Sequence, residues 1–147
     1  MRQLIRYPVI LLFLLTTPLY AEQSKSFGDY TLHYNAFSSD FLSAEVAKKY
    51  GIQRSNSKGL VNITVIKKNN ALETPVTANI SGNAYNLAGQ SKVLAFKEIR
   101  EGSAVYYLAS FRFSNEESLK FNLKVLPKAE GNPINLEFKQ TLYINSN

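Results

Sequence analysis

From Phe27 to Ile144, apolar and polar residues follow one another mostly in period two, the pattern of strands that bury one face and expose the other. Tyr30, Leu32, Tyr34 and Ala36 share one side of a first strand; Thr31, His33 and Asn35 share the other. Val61, Ile63 and Val65 mark a second strand, and the polar run Lys67–Asn70 a turn after it. A third strand runs from Val76 to Ala84, with Gly82 announcing a bulge or a close backbone approach. Asn86–Gln90 turns into a fourth strand, Lys92–Arg100, and Glu101-Gly102 is a hairpin signal before the fifth. The fifth, Ala104–Phe113, is the most apolar and reads as central, with Val105, Tyr107, Ala109, Phe111 and Phe113 on one face. Leu119, Phe121, Leu123 and Val125 mark a sixth strand. Ile134, Leu136, Phe138, Leu142 and Ile144 mark a seventh, in which Gln140 interrupts the inward row and suggests a register change. Residues 22–26 are polar and predict a frayed end.

One segment breaks the period. Leu42, Val46 and Tyr50 recur at helical spacing, with Ser43 as N-cap, Glu45 in the first turn, Lys48 and Lys49 in the last, and Gly51 as the stop. A helix of two turns is marginal alone, so it must pack on the sheet. Short strands at regular spacing with turns between them predict an all-β fold: a seven-stranded antiparallel immunoglobulin-like sandwich with one short helix after the first strand. The cysteine pair and buried tryptophan of antibody domains are absent, so the likeness is architectural.

The start of the chain changes the picture from fold to address. Arg2 and Arg6 precede the apolar run Val9–Leu15, and Thr16-Thr17-Pro18 leads to Leu19-Tyr20-Ala21 and Glu22. That is the layout of a cleavable export signal, cut near Ala21/Glu22, and its apolar run is far short of the roughly 20 residues a spanning helix needs. Residues 1–21 are therefore read as a signal peptide and 22–147 as a single β-sandwich domain, with no membrane span after cleavage. The periplasm is the expected location, and secretion the alternative. Removing 21 of the 147 residues leaves 126, enough for one self-supporting core. Losing Arg2 and Arg6 lowers the formal charge from +6 to +4, with 15 Lys and Arg against 11 Asp and Glu. No basic run resembles a nucleic-acid footprint.

Composition removes several chemistries. With no cysteine there is no disulfide, thiolate metal site, cysteine nucleophile or acylated-cysteine anchor. His33 is the single histidine, which excludes multi-histidine metal sites, and a solvated strand histidine accounts for it. Asp29 and Asp40 each sit by a turn or cap; Glu98, Glu101, Glu116 and Glu117 lie near hairpins. Turn chemistry explains these acids more simply than a facing catalytic pair. No catalytic residue, metal ligand or cofactor is assigned. The best candidate surface is polar-aromatic: His33 and Asn35 on the first strand, Arg54 in the loop after the helix, Asn86 and Gln90 in the third loop, and Tyr106 opposite the core face. Together these would line a small groove that combines rigid aromatic area with directional polar bonds. The plainer account of Tyr106 is that it packs beneath the helix.

The runs Phe27-Gly28-Asp29-Tyr30 and His33-Tyr34-Asn35-Ala36-Phe37 carry a further signal. So do Phe41-Leu42, Glu45-Val46-Ala47, Tyr50-Gly51-Ile52 and Arg54-Ser55, then Gly82 with Asn86-Leu87 and Gly89-Gln90, and Tyr106-Tyr107-Leu108. In this order they resemble a family of exported proteobacterial proteins catalogued as a domain of unknown function, number 4426. The resemblance spans essentially the whole mature chain. It implies an exported single-domain protein and no activity. The function expected is a periplasmic, non-enzymatic binding or interaction module of the envelope, whose partner is an envelope protein or a small ligand. The alternative is an enzyme or enzyme accessory acting on envelope glycan or lipid.

Overall fold

In the computed structural model, residues 23–128 and 131–146 are described, and the expected export signal with its expected cut lies outside the described residues. Strands β1 (Gln23–Phe27) and β2 (Tyr30–Ser38) form a hairpin, followed by a 3-10 turn (Ser39–Phe41) and helix α1 (Ala44–Lys49). Then come β3 (Lys58–Asn69), β4 (Leu72–Pro75), β5 (Ala78–Tyr85), β6 (Ser91–Leu94), β7 (Lys97–Glu101), β8 (Ala104–Arg112), β9 (Glu117–Pro127) and β10 (Ile134–Leu142). Sheet I has the order β1-β2-β3-β8-β7, with β4 also on β3; sheet II is β10-β9-β5-β6. All pairings are antiparallel. The architecture is the expected two-sheet sandwich, with ten strands among the described residues where seven were expected.

The inward rows read from the sequence are the ones that meet. Leu32, Val61, Ile63 and Val65 of sheet I, and Leu119, Phe121, Val125 and Leu136 of sheet II, are all fully buried in one core. Phe121 stacks on its sheet II neighbour Phe138 at 4.6 Å, and both rings cross to sheet I, where Phe138 meets Tyr34 at 4.5 Å and Phe111 stands edge-on to Phe121 at 5.5 Å. Gly59, opposite Phe111 on β3, leaves the space that the Phe111 ring fills. Gly82 is a close approach, as expected: a Cβ there would stand 2.2 Å from the Asn122 carbonyl of β9.

Four expectations are corrected. Residues 23–27 are not frayed but pair along β2 from Gln23↔Tyr34 to Phe27↔Tyr30. Backbone bonding makes this strand, and most of its side chains stay exposed, so no hydrophobic period betrays it. The polar run at Lys67–Asn70 does not end β3 at Val65. The strand continues to Asn69 and folds back as β4 on the half of β3's edge that β8 leaves open. The expected fourth strand is two strands in different sheets: β6 pairs with β5, β7 pairs with β8, and the chain changes layer at Ala95-Phe96. Gln140 brings no register change, since β10 pairs with β9 without a break from Ile134 to Leu142.

The helix and its caps are as expected. Ser43 Oγ accepts from Val46 N–H at 3.2 Å, and Gly51 takes a φ of +65°. Its buried face is not. Ala47 is 3% exposed, whereas Val46 is 39% exposed. Lys49 Nζ pairs with Glu101 of β7 at 3.0 Å and Lys97 Nζ donates to the Tyr50 carbonyl at 3.4 Å, which holds the helix across the outer face of sheet I. Ala47, Leu60 and Ile99 are buried there, outside the inter-sheet core.

Candidate functional site

The outer face of sheet I is built from the residues between the inward ones. Cross-strand register sets Asn35 beside Asn62, Asn62 beside Leu108, and Leu108 beside Lys97 in one row over β2, β3, β8 and β7. His33 stands opposite Thr64, and Tyr106 opposite Ile99, in the next row toward the far end of β8. His33, Asn35 and Tyr106 therefore share one face, and all three are half-buried. Asn62, which hydrophobic patterning passed over, has its Oδ1 buried with no hydrogen-bond partner among the described residues. Further along this face, the loop after α1 roofs a slot of about 430 Å³ over Leu60, Leu108 and Ile99.

Arg54 lies elsewhere, at the end of the sandwich. The loop that carries it is tied down by buried Ser39. Ser39 Oγ accepts from Ser55 N–H at 2.9 Å and lies 3.1 Å from the Gln53 and Ser55 carbonyls. So anchored, Arg54 Nη2 donates to the Asp40 carbonyl at 3.0 Å. Around it opens a cleft of about 680 Å³, walled by Asp40, Phe41 and Asn56 on one side and by Ile144, Asn145 and Ser146 on the other. Phe41 is 53% exposed. Asp40 Oδ1 is buried with no hydrogen-bond partner among the described residues.

Asn86 and Gln90 belong to sheet II and spend their polar atoms on its β5–β6 turn. Asn86 N–H donates to the Gln90 carbonyl at 3.1 Å, Asn86 Oδ1 accepts from Gln90 N–H at 2.9 Å, and Asn86 Nδ2 donates to Gln90 Oε1 at 2.7 Å. Asn86 Nδ2 also reaches Glu117 Oε1 at 3.2 Å, which pairs with Lys92 at 3.3 Å. The six candidate residues are thus distributed over three places: the sheet I face, the Arg54 cleft and the sheet II turn.

The carboxylates are held in structural bonds. Glu98 accepts from Arg100 Nε at 2.6 Å and from the Tyr107 hydroxyl at 3.0 Å, and these bonds, Arg100's first, hold it below the ordinary glutamate value of 4.5. Glu101 is likewise lowered, chiefly by Lys49. Neither cavity is lined by Glu98 or His33. Among the described residues, no group of three or more His, Asp or Glu could hold a metal ion, and no helix is long and apolar enough to cross a membrane.

Comparison with known proteins assigns the chain. Residues 24–145 match the model of a domain of unknown function, DUF4426. The fold is similar to the crystal structure of a DUF4426 family protein from Pseudomonas aeruginosa PAO1, at a TM-score of 0.75 and 35% identity, covering 85% of this chain and 97% of that one. No curated protein matches the chain. The chain belongs to the DUF4426 family.

Proposed function

We propose that this DUF4426 family member is an exported, periplasmic binding module without catalytic activity, which takes a small polar ligand of the envelope in the cleft beside Arg54. The observation that carries this reading is the chemistry of the cleft walls. Arg54, whose guanidinium bonds a carbonyl, Phe41, whose ring is exposed, and Asp40, one of whose buried carboxylate oxygens has no partner among the described residues, line one opening. Such a set offers flat apolar area and directional donors and acceptors at once, the mixture that ligand sites use. The location is read from the start of the chain, where a basic n-region precedes a short apolar run.

The test is capture of small molecules from an envelope extract by the mature protein, with mass spectrometry as the readout. Wild-type bait should enrich a defined set of polar compounds, and Arg54→Ala and Phe41→Ala baits should each lose it. Equal enrichment by wild-type and both variants would place binding outside this cleft and sink the reading.

A further inference from the structure

The slot on the outer face of sheet I has a different chemistry from the Arg54 cleft. Its floor is three aliphatic side chains, Leu60, Leu108 and Ile99, and its roof is the turn Tyr50–Gln53. Leu60 and Ile99 point away from the inter-sheet core yet are 2% and 7% exposed, so the roof shields a second apolar layer. At 430 Å³ the slot falls at the lower end of the roughly 300–1,000 Å³ that small-ligand sites occupy. That suits one alkyl chain and is too small for a two-chain lipid.

Two cations border this apolar space, and no carboxylate lines it. Lys58 Nζ donates to Gln53 Oε1, which closes one end of the roof. Among the described residues Lys97 Nζ makes only a long bond, 3.4 Å to the Tyr50 carbonyl, and Lys97 is exposed. Neither lysine has an ion-pair partner among the described residues, while the neighbouring Lys49 is paired with Glu101. An ammonium beside an apolar slot, held by one long bond to a neutral oxygen, is the complement of an anionic head on an apolar tail. A charge-assisted hydrogen bond to a carboxylate is shorter and roughly twice as strong as a neutral one.

We infer that the slot between α1's trailing loop and sheet I binds a free single-chain alkyl carboxylate, its tail over Leu60, Leu108 and Ile99 and its head on Lys97. The alkyl tail gains by leaving water, and the head exchanges Lys97's long bond to Tyr50 for a charged one. The site is separate from the Arg54 cleft and does not depend on that cleft's occupant.

The probe is decanoate, titrated into the mature protein below its micelle concentration, with 1-decanol as the neutral analogue. Saturable decanoate binding is expected, with amide chemical-shift changes centred on Gly51, Leu108 and Ser110. Lys97→Gln should weaken decanoate at least tenfold and leave decanol within twofold, and Lys97→Arg should restore most of the loss. Ser110→Phe, which fills the slot from an exposed strand position, should abolish both. The chemical-shift map decides the question in the wild-type protein even if that variant does not fold. Absence of saturable binding, shifts centred elsewhere, or an unchanged decanoate affinity in Lys97→Gln would overturn the inference. Loss of decanoate binding in Arg54→Ala would move the site to the cleft and overturn it as well. Cosedimentation with anionic phospholipid vesicles that depends on Lys97 would make a membrane surface the occupant, and the free acid would be rejected.

Discussion

The hydroxyl of Tyr107 accepts the backbone N–H of Ala78 at 2.8 Å, and that bond joins the two sheets. Tyr107 lies on β8 of sheet I; Ala78 opens β5 of sheet II just after the chain has crossed between layers. A strand entering from a crossover has a first N–H with no ladder partner on one side, and a buried one must find an acceptor elsewhere. Tyr107 supplies it, and its own O–H donates to Glu98 Oε2 at 3.0 Å.

Tyr107→Phe keeps the ring in the core and removes both bonds. The buried Ala78 N–H then lacks its acceptor, which should destabilise the protein by about 1–3 kcal/mol, read as a lower urea midpoint at unchanged slope. Burial, and after it the carboxylate of Glu98 against the opposing bond from Ala78, raises the phenol above its ordinary 10.0. The stabilisation is therefore complete below pH 10 and lost as pH rises through the folded value. Equal alkaline unfolding of wild-type and Tyr107→Phe would contradict this account.

Gly82 combines a close approach with a φ of +153°, whereas Gly89 has only an unfavourable backbone conformation. At Gly82 an added Cβ meets the backbone of Asn122 and Leu123 on β9, which cannot move aside without parting two strands. Gly82→Ala should cost about 2–3 kcal/mol. At Gly89 nothing lies within 4 Å and only the φ of +77° resists a side chain, so Gly89→Ala should cost about 1 kcal/mol. Thermal denaturation of the two variants side by side tests the order.

Glu117 ties the start of β9 to the β5–β6 turn. Burial works to raise its pKa, but bonds from Ser114 N–H at 2.7 Å and Asn86 Nδ2 at 3.2 Å, with Lys92 at 3.3 Å, outweigh it and hold the carboxyl below 4.5. A depressed folded pKa contributes stability that is complete above the unfolded value and lost as pH falls through the folded one. Wild-type protein should therefore lose melting temperature steadily below about pH 4.5. Glu117→Gln should start lower at pH 7 and lose less on acidification, with Glu98 and Glu101 supplying what acid sensitivity remains. Parallel pH curves for the two proteins would refute the assignment.

Ser43 caps a helix of six residues whose trailing loop roofs the slot. Losing the bond from Val46 N–H to Ser43 Oγ should cost about 1 kcal/mol. Because the helix has few other bonds, the loss should appear locally, as faster amide exchange across residues 46–52 with the strands unaffected. Uniformly faster exchange through β3 and β8 would show that the helix is not a separate unit.

The parts of the fold legible in the sequence are those made by side-chain burial. Leu119, Phe121, Leu123 and Val125 alternate because every second residue of β9 enters the core, and the rows of β2, β8 and β10 follow the same logic. Helix α1 was legible through its ends, Ser43 and Gly51, but not through its contacts, since the residue it buries is Ala47. The candidate groove was legible only in part. His33, Asn35 and Tyr106 share a face because period two puts them there, whereas the positions of Arg54, Asn86 and Gln90 depend on loops. Leu60, Ile99 and Lys97, which build the slot, carried no signal of their own, because an outward aliphatic residue looks alike whether water or a helix covers it.

By itself the sequence determined the two-layer all-β architecture, the inward rows, the helix and its caps, and the absence of cysteine chemistry. Each follows from local period or from composition. Tertiary structure alone decided that Gln23–Phe27 is a strand, that the chain changes layer at Ala95-Phe96, and that polar candidates separate while Lys97 and Leu108 come together. These depend on which backbone edges remain open for pairing and on which loops fold back over which face. Backbone hydrogen bonds and loop packing set both, and neither leaves an alternation of apolar and polar side chains in the sequence.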